Sequence, residues 1–328
     1  MADELPPPSD EHTHPAEHQD LPPLSIGDIL RTSLGIFRGR WALFASLPPL
    51  ALVPSALLAI VAALMSAVLR LVLGTPAAVP FASDAVRDAL STSALLVTLI
   101  VIPYVSGAAA VLVTAALLDR DCPLGTAVLI ALRRLSASLP TVLMWAGLQF
   151  ALLAAPAGLR LLSPPNPEVS PTVLGALRLA TAAVRILHLW LAVRLIAFPA
   201  VLVVENAVLG RAFGRSYQLT AGRWWHSFAV AACALVLSAL LCWAVMVPVA
   251  SILGVGLGSR EVRSLIALCV LALLTFLSQG WYMVVLSLLY IDLRARTEGL
   301  NTAQLQRELL AAGLPSSPSD PPHDRHLP

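Results

Sequence analysis

Long apolar stretches without formal charge alternate along the chain with short segments that carry arginine. Five such stretches cover residues 41–69, 89–118, 135–159, 224–259 and 264–291. A sixth covers residues 186–204, where only His188 and Arg194 interrupt the apolar run and Pro199 predicts a kink. About 20 apolar residues in a helix cross the roughly 30 Å hydrocarbon core of a bilayer, and no stretch shows the alternation of a membrane β-strand. The pattern predicts an all-α integral membrane protein with six transmembrane helices.

The composition agrees with a protein whose surroundings are lipid. Of the 328 residues, 58% are hydrophobic and 12% are charged, whereas a soluble domain carries about 25% charged residues. This excludes soluble enzymes and DNA-binding domains, so we expect no nucleic-acid partner. All 21 basic residues are arginine, which excludes any chemistry that depends on lysine.

The two ends of the chain differ from its apolar part. Residues 1–24 are rich in Pro, Asp, Glu and His, and residues 1–20 contain six acids and no arginine. Such segments bury too little apolar surface to offset the entropy of ordering. We therefore predict a disordered acidic tail over residues 1–24, a membrane domain over residues 25–312 and a second disordered tail over residues 313–328.

The distribution of arginine indicates the orientation in the membrane. One set of loops holds four groups of three: Arg31, Arg38, Arg40, Arg120, Arg133, Arg134, Arg211, Arg215, Arg223, Arg294, Arg296 and Arg307. The opposite set holds Arg70, Arg87, Arg160, Arg260 and Arg263, with Arg178 and Arg185 added if the fourth helix begins before them. Cytoplasmic loops carry the excess of positive charge. We predict a multi-pass protein of the cell membrane with both termini in the cytoplasm.

A short motif recurs before the first, third and fifth predicted spans. Its copies begin at residues 26–27, 124–125 and 209–210 with Ile-Gly, Leu-Gly and Leu-Gly. At the same spacing, the first and third copies continue to a Gly-Arg-Trp triplet at residues 39–41 and 222–224, while the middle copy is degenerate. This predicts three parallel repeats, each formed by one interfacial amphipathic helix and two spans.

The first copy predicts a helix whose apolar face is formed by Ile26, Leu30, Leu34 and Phe37. Ser25 and Asp28 fit a capping box at its start. Helices of this kind lie in the headgroup plane with arginine toward anionic lipid. The candidate lipid-surface residues are Arg31, Arg38, Arg40, Arg211, Arg215 and Arg223. The alternative is that these arginines only set the topology.

Five polar residues within or beside the spans are candidates for an intramembrane site: Arg194, Glu205, His188, Gln149 and Gln279. A buried ionisable group in a membrane is costly unless it is paired. Glu205 follows Arg194 by three helical turns, roughly 16 Å along the axis. A direct pair would need a break after Pro199, and otherwise each residue has a partner elsewhere. Both a structural clamp and a transport site remain open.

Several segments resemble one family. Residues 194–205 (RLIAFPAVLVVE), followed by Arg215-Ser216 and residues 219–224 (LTAGRW), resemble the membrane domain attached to some bacterial glycerophosphoryl diester phosphodiesterases. Residues 25–30 (SIGDIL) and 290–300 (YIDLRARTEGL) look similar too. The resemblance covers roughly residues 24–312 and implies a stand-alone multi-helix membrane protein. Catalysis in those enzymes belongs to a separate soluble barrel, which has no counterpart here, so the resemblance implies no phosphodiesterase activity.

The sequence contains no His-Glu-x-x-His, Gly-x-Ser-x-Gly, P-loop or Cys-x-x-Cys pattern. We expect no enzymatic activity, no cofactor and no bound metal. The favoured hypothesis is a membrane scaffold or regulator that presents arginine-bearing helices to the cytoplasmic lipid surface. Its expected partners are anionic headgroups, with a cytoplasmic protein as a second candidate.

Two other hypotheses compete with this one. A transporter or lipid-handling permease needs a mid-membrane cavity that brings Arg194 together with Gln149 or Gln279. An intramembrane enzyme needs acids that converge with His188 or His226 at one depth.

Overall fold

The structure is a computed structural model that describes residues 21–51, 53, 54, 57, 80–161, 171–207, 210–254 and 259–314. The chain is almost entirely helical over these ranges, which contain no strand, and this confirms the predicted all-α class. Residues 1–20 and 315–328, which make up nearly all of the two predicted disordered tails, lie outside the described ranges. Most of the first predicted span also lies outside them.

The helices follow one another along the chain with short connections. They are α1 (Ile26–Gly39), α2 (Trp41–Ala45), α3 (Pro80–Leu117), α4 (Leu124–Ala137), α5 (Leu139–Leu161), α6 (Pro171–Arg194), α7 (Phe198–Val204), α8 (Gly210–Thr220), α9 (Trp224–Gly254), α10 (Arg260–Glu298) and α11 (Thr302–Ala311).

Four helical stretches are long and apolar enough to cross a membrane. They are Leu95–Leu117, Thr172–Val204, Trp224–Ile252 and Glu261–Glu298, and they match the second, fourth, fifth and sixth predicted spans. The third predicted span coincides with α5, which joins α4 at a bend of 90° and passes the same test only together with it. By length and composition, the described ranges therefore hold four helices that could cross a membrane, or five if the bent pair is one span.

The fourth span ends at Val204 as predicted, but it begins earlier than predicted. Helix α6 begins at Pro171 rather than at residue 186, because Arg178 and Arg185 lie on its exposed side and do not interrupt it. The helix stops after Arg194, and a short turn leads into α7, in whose first turn Pro199 lies. Proline is tolerated there because its missing N–H would have no partner. The predicted kink is thus a break just before Pro199.

Two glycines let the central helices approach one another closely. A Cβ on Gly107 of α3 would lie 2.2 Å from Val203 Cγ2 of α7. A Cβ on Gly280 of α10 would lie 2.5 Å from the carbonyl oxygen of Phe44 in α2. Real Cβ atoms do not reach such distances, so glycine is required at both crossings.

Helix α1 is amphipathic, and three residues of its predicted apolar face, Ile26, Leu30 and Phe37, pack against the core. Ile29 and Ser33 are fully buried, while Leu34 is 56% exposed. Ser33 Oγ accepts a hydrogen bond at 3.0 Å from Trp281 Nε1 of α10. A face chosen from apolar residues alone does not include this serine.

The predicted capping box at the start of α1 is confirmed. Ser25 Oγ accepts a hydrogen bond from the Asp28 backbone N–H at 3.2 Å, and the Asp28 carboxylate accepts one from the Ser25 backbone N–H at 3.3 Å. The hydrogen bonds from Ser25 hold the pKa of the Asp28 carboxyl below its usual value.

The outer faces of α9 and of the first half of α10 are apolar. Large exposed side chains there include Val236, Leu240, Trp243, Leu265 and Leu268. A continuous apolar surface of this kind is unfavourable in water and typical of contact with lipid. It therefore agrees with a membrane-embedded protein.

Candidate functional site

Two groups of charged side chains meet at one end of the helices, where α7, α8, α10 and α11 converge. The glutamate cluster, as we name the first group, contains Glu205, Arg215, Tyr290, Arg294, Glu298 and Glu308. Glu205 ends α7, and its carboxylate accepts hydrogen bonds from Arg215 Nε at 2.8 Å and from the Tyr290 hydroxyl at 3.0 Å. One carboxylate therefore connects α7 to both α8 and α10.

Arg294 is the centre of this cluster and only 2% of its side chain is exposed. Its two terminal nitrogens donate to both carboxylate oxygens of Glu308 at 2.7 Å, which ties α10 to α11. Its Nε lies 3.3 Å from Glu298 and 3.6 Å from Glu205. A buried guanidinium needs such partners, since removal from water without them is costly.

Arg215 joins the surface helix α8 to the same cluster. It pairs with Glu205 on one side and with Glu298 on the other. Burial opposes its charge, but the hydrogen bonds and negative charges of Glu205 and Glu298 outweigh that effect and raise the pKa of the guanidinium.

A second group, the aspartate cluster, contains Leu24, Arg223, His226, Asp292 and Arg296. The Asp292 side chain is fully buried and accepts from Arg296 Nε at 2.8 and 2.9 Å, and His226 Nε2 lies 3.0 Å from it. The Leu24 backbone N–H donates to Asp292 at 2.7 Å, and Arg296 donates to the Leu24 carbonyl. Arg223 donates to the Arg296 carbonyl at 3.1 Å.

The aspartate cluster fixes the segment just before α1. Besides the contacts of Leu24, the Leu21 backbone N–H donates to the Leu300 carbonyl at 3.2 Å. Residues 21–24 are extended and bound to the end of α10, although the sequence analysis placed them in the disordered tail. Their hydrogen bonds run along the backbone, so no side-chain pattern in that segment indicates them.

An open pocket of about 380 Å³ lies beside the glutamate cluster. Arg134, Asn206 and Glu308 are among the residues that line it. Arg134 donates to the carbonyls of Val203 and Val204 at 2.6 and 2.8 Å, where α7 ends. Arginine is favoured there because the last carbonyls of a helix lack partners and carry partial negative charge. This contact holds α4 against α7.

Arg194 and Glu205 do not pair, and each has partners elsewhere, which is the second of the two alternatives left open by the sequence. Arg194 donates to the Thr220 carbonyl at 3.0 Å, and its guanidinium lies 4.6 Å from the centre of the Tyr217 ring and 5.4 Å from that of Trp190. The break before Pro199 ends α6 at Arg194, so the side chain reaches α8 instead. Arg194 therefore joins a span to the end of a surface helix.

The other predicted intramembrane residues lie apart from Arg194. His188 Nε2 lies 2.8 Å from Gln149 Oε1, and this pair connects α6 to α5. Gln279 is exposed on α10. His188 and Gln149 thus form one pair, Arg194, Glu205 and Gln279 each lie elsewhere, and the described residues do not bring the five into one polar cavity.

The six predicted lipid-surface arginines divide into two groups. Arg31, Arg38 and Arg211 are exposed. Arg40 donates to the Arg120 carbonyl at 2.9 Å and pairs with Asp121, while Arg215 and Arg223 belong to the two clusters. Only the first group is available for headgroups.

Two cluster residues, Tyr290 and Glu308, were not candidates of the sequence analysis, which considered Arg294 and Arg296 only for topology and His226 only for an intramembrane enzyme. One signal was available, because Asp292 and Arg296, like Arg294 and Glu298, are spaced four apart and pair on one helix. Nothing in the spacing indicates the contacts with α7, α8 and α11.

The geometry of the clusters is that of a clamp. Their acids are paired with arginine, and the described ranges hold no group of three His, Cys, Asp or Glu side chains that could bind a metal ion. The segments that carry the family resemblance supply most of the members of both clusters. Comparison of the chain with protein-family models, with curated proteins and with solved structures finds no match.

Proposed function

We propose that this chain is a multi-pass membrane scaffold or regulator that binds anionic lipid headgroups at its cytoplasmic face and has no catalytic activity. The observation that carries the proposal is the exposure of Arg31, Arg38 and Arg211 on short helices whose opposite faces are fixed to the spans. Their guanidinium groups are therefore held at the surface.

The attachment of these helices supports the proposal. Helix α1 is fixed through Ser33 and Trp281, and α8 through Ser216, whose hydroxyl donates to the Arg194 carbonyl at 3.0 Å. Exposed tryptophans stand at the start of the apolar helices that follow: Trp41 begins α2, and Trp225 is 75% exposed near the start of α9. Tryptophan is enriched at membrane–water interfaces, which supports a position of these helix starts near the interface.

Pairs of contacts between distant residues support six spans. Arg40 bonds to the Arg120 carbonyl, so both lie on the same side, and the chain between them crosses the membrane an even number of times. Because α3 provides one crossing, this parity supports the first span predicted from the sequence. Arg134 bonds to the carbonyls of Val203 and Val204, and the same argument gives one crossing to α5 beside that of α6 and α7.

The threefold repeat is part of the same proposal. A short helix precedes an apolar helix in α1–α2, in α4–α5 and in α8–α9. In the first and third pairs the apolar helix begins at the tryptophan of the Gly-Arg-Trp triplet. The excess of arginine in these segments favours a cytoplasmic location for them and for both termini.

The resemblance to the phosphodiesterase-associated membrane domain remains a hypothesis with a physical content. On this hypothesis, the role of the resembling segments is to hold helix ends together, since they contribute most residues of the glutamate and aspartate clusters. The permease hypothesis gains no support from the scattered positions of Arg194, Gln149 and Gln279.

The test replaces Arg31, Arg38 and Arg211 together by Gln and measures binding of short-chain phosphatidylglycerol to the full chain in neutral nanodiscs. Each arginine near an anionic surface contributes about 1 kcal/mol, so we expect affinity to fall at least roughly tenfold at low salt. Membrane insertion and thermal stability should be unchanged.

A matched control replaces Arg40, Arg215 and Arg223 by Gln, which removes the same charge from the bonded group. We expect this variant to lose thermal stability because its arginines hold helix ends. If the first variant inserts normally and binds the anionic lipid as the wild type does, Arg31, Arg38 and Arg211 only set the topology and the proposal is wrong.

A further inference from the structure

Residues 1–20 and the exposed arginines carry opposite charge. The segment contains Asp3, Glu4, Asp10, Glu11, Glu17 and Asp20 and no arginine. It leads directly into Leu21, whose backbone N–H donates to the Leu300 carbonyl just beyond α10. The acidic segment therefore starts from a fixed point on the molecule.

We name the exposed Arg31 and Arg38 of α1 and Arg211 of α8 the arginine surface, and both helices are joined to the end of α10 from which the segment starts. Arg215 of α8 pairs with Glu298, which stands two positions before Leu300. Arg211 lies one helical turn from Arg215, about 6 Å away. Arg31 and Arg38 belong to α1, which begins a few residues after Leu21.

The segment is long enough to reach all three arginines. Twenty residues span at most about 70 Å when fully extended, and a flexible chain of that length has a mean end-to-end distance of about 25 Å. Tethering at Leu21 also gives the carboxylates an effective concentration near these arginines in roughly the millimolar range.

We propose that residues 1–20 bind back to the arginine surface and compete there with anionic lipid headgroups. This inference rests on the proposed function, since it assigns the regulation of the same surface. Exposed ion pairs are individually weak and screened by salt. The contact is therefore reversible, and a membrane of sufficient negative charge displaces the segment. The protein would thus respond to the fraction of anionic lipid rather than bind it at any level.

The experiment neutralises the segment in the full chain. The variant carries D3N, E4Q, D10N, E11Q, E17Q and D20N, and the probe is short-chain phosphatidylglycerol added to the protein in neutral nanodiscs. We expect the variant to bind the probe on the order of fivefold more tightly at low salt, with the difference lost at roughly 0.5 M salt. A chain with residues 2–20 in shuffled order should keep the wild-type affinity, because charge rather than order acts.

The arginine background decides between the proposals. In the R31Q, R38Q and R211Q variant, neutralisation of the segment should leave probe binding unchanged. An equal gain in both backgrounds would mean a general electrostatic effect and would overturn the inference. The absence of any gain in the wild-type background would also overturn the inference. In that case, if arginine replacement still lowers probe binding, the proposed function stands. If arginine replacement itself has no effect, both proposals fail.

Discussion

Single side chains decide how the helix ends of this molecule are held together. Arg294 is one of many arginines that follow a predicted span, and composition treats them alike. In the structure it is buried and bound to Glu308, while Arg31 on another helix is exposed. The difference comes from α11, which folds back over the end of α10 and supplies Glu308. No local pattern around Arg294 contains that information.

Replacement of Glu308 by Gln tests this clamp. Arg294 would stay buried with its longer contacts to Glu205, Glu298 and the Tyr290 hydroxyl. Breaking a buried ion pair by removal of one partner is strongly destabilising, but Glu308 is 22% exposed and water can partly replace it. We expect the free energy of unfolding to fall by about 2 kcal/mol, measured as a lower midpoint of thermal unfolding in detergent.

Glu261 offers the control for this measurement. It lies exposed at the start of α10, far along the same helix from the cluster. Glu261→Gln should change the stability by less than about 0.5 kcal/mol. Equal unfolding midpoints for the two variants would show that the Arg294–Glu308 pair does not hold α11 in place.

At the scale of helices, the sequence predicts what depends on neighbouring residues. The capping box of Ser25 and Asp28 and the start of α9 at Trp224 follow from local chemistry. The burial of Ser33 in α1 does not follow from local chemistry, because its hydrogen-bond partner Trp281 lies far away along the chain. The start of α6 was placed too late because Arg178 and Arg185 were weighed as interruptions rather than as one exposed side.

The two glycine crossings differ in the atoms that an added Cβ would meet. A Cβ on Gly107 meets the side chain of Val203, whereas one on Gly280 meets the backbone of Phe44. We expect Gly107→Ala and Gly280→Ala each to lower the free energy of unfolding by about 2 kcal/mol, as overpacked cores do. Thermal unfolding of both variants measures this.

The second substitution distinguishes the two cases. Val203→Ala in the Gly107→Ala background removes the clashing methyl groups, so part of the lost stability should return. Shortening Phe44 in the Gly280→Ala background leaves the backbone clash in place and should restore nothing. Gly147→Ala is the control, because no atom lies within 4 Å of its Cβ position, and it should be neutral or slightly stabilising. A stable Gly280→Ala variant would contradict the close crossing of α2 and α10.

At the scale of the whole molecule, the contacts that matter join distant parts of the chain. Leu24 and Asp292 are 268 positions apart, and Arg223 and Arg296 are 73 apart. Hydropathy locates the spans because lipid acts on every residue of a helix, but it says nothing about which helix ends meet. For this reason the residues predicted to form an intramembrane site do not lie together in the structure. Arg194, Gln149 and Gln279 were grouped by polarity, and each has its own surroundings.

The same distant contacts yield a topology that can be measured. If Arg40 and Arg120 share one side, and Arg134 shares a side with Val203, the chain crosses the membrane six times and residues 162–170 lie on the opposite side from Asp121. A reporter active only outside the cytoplasm should then be active when inserted at position 166. It should be inactive at Asp121 and at Pro328, in keeping with the excess of arginine on that side.

Equal activity at positions 121 and 166 would mean that α4 and α5 re-enter the membrane without crossing it, and six spans would be wrong. Activity at Pro328 with none at 166 would keep the six spans and reverse the orientation, so that Arg31, Arg38 and Arg211 would face the other leaflet.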